Sequence, residues 1–491
     1  MSAMKKLISV FSSFLFSFAV LYANEFKSFL VPDLNESVVY VGAYDWGPCI
    51  DKIVINVGIM VSPSAVRAPD FKVNQILYVK NGSLGMAKGE LSVVDAFCSD
   101  STGSQIYEPS SYITVLTDVY PEAENSSPFV SLSLGDRFEK MYGYRVENDE
   151  LDISIKKMKG FVNSLASCFE VDSFSYTYPA TEEDLADPKY KEESVTLPYA
   201  SFIPQDNSGK KIPLILWFHG MGESGDNIYK VLFGTKTTAL VDRQIQGYFK
   251  DGVAVLAPQC PSGWLQVKEK GAFGIRYWAP IDKEAPVNAV KKPVSKFLGK
   301  FFVKKEREKV PIEKIPFAAV SYYTEPVSAL LDKFLGENPQ IDINRIYVGG
   351  CSAGGYMTMN MMIQCPERFA AAFPICEYYL DSKITDSQIR SLAKKPLWFT
   401  YALNDGSVNP EKNSIPTIKR LLSAGADNVH YSEFRNVVDL SGNYLMNRTA
   451  DRDDEDFGLP YEYEGHWSWI YVLNDVCNDG DLKMFEWLSN Q

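Results

Sequence analysis

The rhythm of hydrophobic positions changes once along this chain and divides it in two. From about residue 26 to 156, short runs rich in Val, Ile, Tyr and Thr alternate with Asn-Gly, Pro and Ser clusters. The runs are "ESVVYVGAYDW", "KIVINVGIMV", "FKVNQILYVK", "ELSVVDAFC", "SYITVLTDVY", "PFVSLSLG" and "ELDISIKK". Strands at this spacing, with no helical period between them, predict a β-sandwich. Residues 157 to 194 are less regular and end in the acidic "TEEDLADPKYKEES", which reads as a connector or surface loop. Beyond it come nearly continuous apolar runs, "IPLILWFHG", "GVAVLAPQC", "NRIYVGG", "AAFPIC" and "KPLWFTYA". Such runs suit parallel strands buried on both faces. Between them, "EPVSALLDKFLGENP" and "PTIKRLLSAGA" have helical character. Strands alternating with helices predict an α/β, doubly wound, mostly parallel sheet.

The N-terminal end fits neither half. Lys5 and Lys6 precede an apolar stretch from Leu7 to Ala23 interrupted only by serines. This is the layout of a secretory signal cleaved after Ala23, with an uncleaved anchor as the alternative. The expected organisation is a signal peptide over 1–23, a β-sandwich over 24–172 and an α/β domain over 173–491. The protein is then expected to be secreted or periplasmic and free of the membrane once the signal is removed.

A chain of 491 residues is long enough for two cores. Its formal net charge of −13 argues against nucleic acid or an anionic membrane surface as a partner. Eight cysteines could pair after export, but their spacing assigns no bridges and resembles no zinc site. Asn35, Asn81, Asn125 and Asn447 head N-x-S/T triplets. One segment reverses the charge: residues 291 to 309, "KKPVSKFLGKFFVKKEREK", hold eight Lys or Arg against two Glu. It reads as a solvated insertion, with a substrate-facing lid as the alternative.

The strongest chemical pattern is "RIYVGGCSAGGYMTM", which sets Ser352 between Gly350 and Gly354 where a strand passes into a helix. G-x-S-x-G in that context predicts a sharp elbow that lifts the serine oxygen above the sheet, with the two glycines clearing space on either side. Cys351 stands before the apex and reads as structural. A serine nucleophile needs a base, and the chain has three histidines, His219, His430 and His466. In α/β-hydrolases the order along the chain is Ser, then Asp or Glu, then His, so only His430 and His466 qualify by position. His430 lies in a short alternating strand pattern and reads as structural. His466, in "YEGHWSWIYVLND", sits in a polar-aromatic loop and is the expected base. The acid should follow a strand between the two, and "KPLWFTYALNDGSVNPEKNS" supplies Asp405. "HGMGESG" after the first strong strand predicts an oxyanion loop, with the amide of Met221, or of Gly222 as second choice, and that of Ala353 as donors. His219 would shape this loop. No metal or organic cofactor is expected.

Together "HGMGESGDN", "APQCP", "NRIYVGGCSAGGYMTMN", "FPIC", "ALNDGSVNPEKNS" and "GHWSW" resemble a group of secreted bacterial esterases, also described as predicted peptidases or prolyl-oligopeptidase-family hydrolases. Some of these carry an immunoglobulin-like N-terminal domain, and "AYDWGPCIDKIVINVG" is similar to its start. The resemblance covers most of the chain after the signal. It implies an α/β-hydrolase fold behind an immunoglobulin-like sandwich, and carboxylesterase activity through Ser352, Asp405 and His466. By analogy the substrates would be small short-chain or aromatic acyl esters, including feruloyl or acetyl esters of polysaccharide. The basic insertion departs from the pattern. Prolyl oligopeptidases gate their site with a propeller of seven blades of about 40 residues each, for which the N-terminal half is too short. Peptide cleavage is therefore the second reading, and a non-catalytic carbohydrate- or surface-binding protein on a hydrolase fold the third.

Overall fold

The computed structural model describes residues 25–77, 87–123, 125–129, 141–180, 182–186, 192–205, 209–268, 276–278, 320–446 and 457–491. The stretch 1–23 expected to be a signal peptide, the basic stretch 291–309, most of "PFVSLSLG", Asn81 and Asn447 lie outside these residues.

The N-terminal part is built from two β-sheets. Six strands run in the order Phe26–Lys27, Lys157–Val162, Glu36–Tyr44, Gly47–Val61, Ser110–Thr117, Val93–Ser99. Four more run Ala87–Leu91, Phe71–Ile76, Gly143–Asn148, Ile153–Ile155. Inward-facing residues of both sheets, among them Val39, Ile53, Ile55, Val73, Tyr144, Val146 and Phe161, share one core. Two details differ from the sequence reading. "ELSVVDAFC" is not one strand but breaks at Ser92, sending Ala87–Leu91 and Val93–Ser99 to different sheets. The stretch after 156, read as irregular, contributes Lys157–Val162, which pairs parallel with both Phe26–Lys27 and Glu36–Tyr44. Its polar residues hid it, because two of its six positions are exposed, two half-buried and only the last two buried.

The C-terminal part is an eight-stranded mixed sheet. Numbered within it, the strands are β1 (Glu170–Thr177), β2 (Ser194–Phe202), β3 (Ile212–Phe218), β4 (Ala254–Pro258), β5 (Ile341–Cys351), β6 (Ala371–Ile375), β7 (Leu397–Ala402) and β8 (Val429–Phe434). Their spatial order is β1-β2-β4-β3-β5-β6-β7-β8. The first two strands join antiparallel, and all pairs from β3–β4 to β7–β8 are parallel. Strand β1 pairs with β2 along its whole length, so the seam between the parts falls in residues 163–169 rather than at 172/173. β1 escaped the sequence reading because "EVDSFSYT" is an edge strand with a polar, half-exposed pattern and no apolar run.

Every residue of β3, β4, β6 and β7 is buried, as expected for parallel strands covered on both faces. The alternation of side chains splits their apolar residues between two cores. Leu214, Leu216 and Phe218 face α1 (Thr324–Glu337) and α2 (Ala353–Gln364). Ile215 and Trp217 face the other way, into a core that runs on without a break into that of the N-terminal sheets. Phe26 belongs to this joint core, with its ring 4.9 Å from Tyr229 and 4.8 Å from Phe233. A fully buried aromatic contributes about 1.5–3 kcal/mol, so the two parts are packed together rather than loosely tethered. Among the described residues no helix is long and apolar enough to cross a membrane, and all eight cysteines are free.

Candidate active site

The parallel strands all end on one side, and the loops that follow β3, β5 and β7 meet there with the chain that returns after β8. At the end of β5 the backbone turns sharply through Ser352, whose φ of 59° and ψ of −117° lie outside the regions that a residue with a Cβ adopts readily. The turn is held from both sides. The Ser352 N–H donates to Ile375 O on β6 at 2.9 Å, and the Tyr356 N–H donates to Ser352 O at 2.9 Å. Gly350 and Gly354 do not share the positive φ. Their role is space: a Cβ on Gly350 would come 2.4 Å from Phe218 O, and one on Gly354 2.0 Å from the same oxygen. Both obstacles are backbone, so neither can move aside. Only glycine lets β3, the elbow and α2 approach this closely.

His466 arrives from the opposite direction. Its Nε2 lies 2.8 Å from Ser352 Oγ, and its Nδ1 lies 2.8 Å from Asp405 Oδ2. A carboxylate only accepts, so Nδ1–H donates to Asp405 and Nε2 is left to accept the serine hydroxyl. Asp405 follows β7 and is 2% exposed; its other oxygen accepts the N–H groups of Ser407 and Val408, both at 2.8 Å. These amides fix the carboxylate's plane, so the acid holds the ring in one orientation. The edge-on Trp469 ring, 5.8 Å from the imidazole, closes the remaining side. A hydroxyl, an imidazole and a fixed carboxylate in series can pass the serine proton to the ring as the oxygen attacks.

Beside the serine runs the loop after β3. His219 is fully buried; its Nδ1–H donates to Gly220 O at 2.6 Å and its Nε2 accepts the Cys260 N–H at 2.9 Å. Both contacts suit a neutral ring, and burial drives its pKa down to about 3. The Trp264 indole donates to His219 O at 3.1 Å, and Gln259 donates to Glu223 O at 2.7 Å and Asn227 O at 2.9 Å. The loop after β4 thus braces the loop after β3. Met221 and Gly222 lie in a single 3-10 turn, Met221–Glu223, and a Cβ on Gly220 would stand 3.8 Å from Ser352 Cβ. Ala353 opens α2, where backbone N–H groups have no acceptor within the helix.

The structure therefore brings Ser352, Asp405 and His466 within hydrogen-bond distance, puts Ala353 at the helix start beside the serine, and carries Met221 and Gly222 in the loop whose Gly220 abuts Ser352. His430 stands apart on β8, bonded to Asp479 at 2.7 Å and stacked on Trp398. Four further residues went unnoticed in the sequence. Gln259, in "APQCP", is the brace just described, and its place at a strand end was the available signal. Gly465 lets the histidine segment pass against the acid loop, since a Cβ there would meet Asn404 O at 2.6 Å. Glu377 packs beside α2, buried, with its oxygens accepting the Tyr379 N–H at 2.6 Å and the Ser414 hydroxyl at 3.2 Å. Burial pushes its carboxyl pKa well above the usual range. Glu223, in the loop after β3, is raised for the same reason, with Lys230 opposing the shift. Nothing in the local sequence distinguishes these two acids from solvated ones. Among the described residues no group of three or more His, Cys, Asp or Glu is arranged to hold a metal ion.

Residues 327–411 match the model of the prolyl oligopeptidase family, a span that contains Ser352 and Asp405 and ends before His466. No curated protein matches the chain. Among solved structures, a thermostable esterase is similar over 93% of this chain and 99% of its own, at 20% identity and a TM-score of 0.58. An acylaminoacyl peptidase from Pyrococcus horikoshii is similar over 54% of this chain and 37% of its own, at 14% identity and a TM-score of 0.32. A ferulic acid esterase is similar over 54% of this chain and 90% of its own, at 14% identity and a TM-score of 0.30. The extended likeness to the thermostable esterase, with the strand order above, shows that the C-terminal part has the α/β-hydrolase fold.

Proposed function

We propose that this protein is a serine hydrolase that cleaves carboxylic esters through an acyl-enzyme, with Ser352 as nucleophile, His466 as base and Asp405 as the acid that orients it. The observation that carries this reading is the continuous pair of 2.8 Å hydrogen bonds from Asp405 through His466 to Ser352. His466 takes the hydroxyl proton as Ser352 Oγ attacks the ester carbonyl. The negative charge that develops on the carbonyl oxygen is met by the amides of Met221, or of Gly222, and Ala353, each such donor typically worth about 3 kcal/mol of barrier. The tetrahedral adduct collapses, His466 returns the proton to the departing alcohol, and a water molecule repeats the sequence to release the acid.

The N-terminal sheets fit an immunoglobulin-like sandwich, and Lys5 and Lys6 before an apolar stretch support export. The second reading, peptide cleavage, is favoured by the prolyl oligopeptidase family match over 327–411. Against it, the N-terminal part is two sheets of six and four strands, not a propeller. Small acyl esters, with feruloyl and acetyl groups on polysaccharide among them, are the proposed substrates.

A fluorophosphonate probe tests the nucleophile. The wild-type protein should be labelled and turn over p-nitrophenyl acyl esters, while Ser352→Ala should lose both by at least about 10⁴-fold. Equal labelling of the variant would end the proposal. Parallel rates on p-nitrophenyl esters, methyl ferulate and peptide amides decide between ester and peptide; amides cleaved faster than every ester would favour the second reading.

A further inference from the structure

His466 does not sit on a strand or a long helix. It lies between a two-stranded arm, in which Val437–Val438 pairs with Glu462–Tyr463, and the five-residue helix α3 (Trp469–Leu473). Short elements of this kind have little stability of their own. Each of them is gripped by the N-terminal part.

The arm is gripped by Tyr120. Its ladder continues outward through Asp439 N–H to Tyr461 O at 2.8 Å, Tyr461 N–H to Tyr444 O at 2.9 Å and the Leu445–Pro460 bridge. The Tyr120 hydroxyl accepts the Leu445 N–H at 2.8 Å and donates to Leu445 O. The Tyr120 ring packs edge-on against Tyr444 and Tyr461, at 5.7 and 6.1 Å, and Trp46 packs on Tyr444 at 4.7 Å. From Tyr461 the aromatic contacts continue through Tyr463 to Trp467, the residue after the histidine.

α3 is gripped by Asp45. Asn474, which caps that helix, donates from Nδ2 to both Asp45 oxygens at 2.9 and 3.0 Å. Lys236 donates to Asp45 at 2.9 Å and to Asn474 Oδ1 at 2.7 Å, closing a three-membered network in which the Asp45 side chain is 13% exposed. A half-buried, mutually bonded trio of this kind fixes geometry more than it adds stability.

We infer that the N-terminal part is a component of the catalytic machinery, with Tyr120 and Asp45 acting as positioning residues that clamp the backbone on either side of His466 and so set its distance to Ser352. The inference rests on the proposed triad. Misplacement of a catalytic group by about 1 Å costs on the order of 100-fold in rate, whereas substrate contacts made by other residues are untouched. The clamps should therefore appear in kcat and not in KM.

The test uses the full chain carrying Tyr120→Phe and Asp45→Asn together, both near-isosteric, with Tyr120→Phe alone as the variant most certain to fold. Phe26→Leu serves as the control, because it weakens the packing between the two parts through rings, Tyr229 and Phe233, that belong to neither the arm nor α3. The double variant should unfold cooperatively, lose about 10- to 100-fold in kcat on p-nitrophenyl acetate with KM within about twofold, and slow in fluorophosphonate labelling by a similar factor. Phe26→Leu should lower the melting temperature and leave kcat within about twofold of wild type. Wild-type kcat in folded clamp variants would overturn the inference, as would equal kcat losses in the clamp and Phe26→Leu variants. His466→Asn separates this from the triad reading: wild-type labelling there would remove the triad itself, while lost labelling there beside an active clamp variant would remove only the clamp.

Discussion

Ser352 and His466 approach to 2.8 Å, yet they are held by different physics. The serine is fixed by its immediate surroundings. The buried end of a strand, from Ile346 to Cys351, and a helix buried from Ala353 to Met362 converge on it, and Gly350 and Gly354 allow backbone to touch backbone. The histidine is fixed from far away, by Asp405 at a separation of 61 residues, by Tyr120 acting 325 residues upstream of Leu445, and by Asp45 acting 429 residues upstream of Asn474. The serine is thus built into the core of the sheet, where any fault also damages folding. The histidine is carried between short elements outside the main sheet.

That contrast can be broken at either end. The largest effect is expected at the histidine. Asp405→Asn keeps the oxygen that accepts the Ser407 and Val408 amides but reverses the polarity facing Nδ1, which favours the wrong tautomer. Turnover should fall by about 10⁴-fold with the melting curve nearly unchanged. A steady-state rate within tenfold of wild type would move the acid to another residue.

Gly354→Ala strikes the serine's side. The new methyl group would stand 2.0 Å from Phe218 O and 2.7 Å from His219 O, so β3 and α2 must separate. A cost of about 3 kcal/mol or more is expected, and activity should be lost together with stability. Retention of the wild-type melting temperature would show that the elbow is less tightly packed than described.

The smallest effect concerns the loop that flanks the elbow. His219 is held neutral with a pKa of about 3, against an ordinary value of 6.5. Between those values the unfolded chain binds a proton that the folded protein refuses, so stability is complete above pH 6.5 and falls as pH drops toward 3. The loss at pH 5 relative to pH 7 should be about 2 kcal/mol. Glu377 and Glu223, with raised values, act in the opposite sense. Comparison of denaturant unfolding between wild type and His219→Gln isolates the histidine's share, and parallel pH profiles for the two would refute it.

Much of the site was readable along the chain because its parts are local. An apolar strand, a G-x-S-x-G turn and a buried helix occupy one continuous stretch, and Asp405 directly follows another strand. The residues chosen for this reason are those that the fold gathers. What escaped notice depends on partners remote in sequence. The edge strand β1 has a polar pattern that makes sense only beside β2, and the buried acids Glu377 and Glu223 look like any surface carboxylate until the packing around them is known.

By itself, then, the sequence determined the two-part rhythm of the chain, the buried parallel strands and the strained turn at Ser352, because steric exclusion and burial act between near neighbours. Only the tertiary structure decided that the N-terminal part packs into the hydrolase core, that Gln259 braces the loop after β3, and that Tyr120 and Asp45 bracket the histidine. These contacts join segments hundreds of residues apart. No local propensity encodes them; they exist only when burial of the shared core has brought the two parts together.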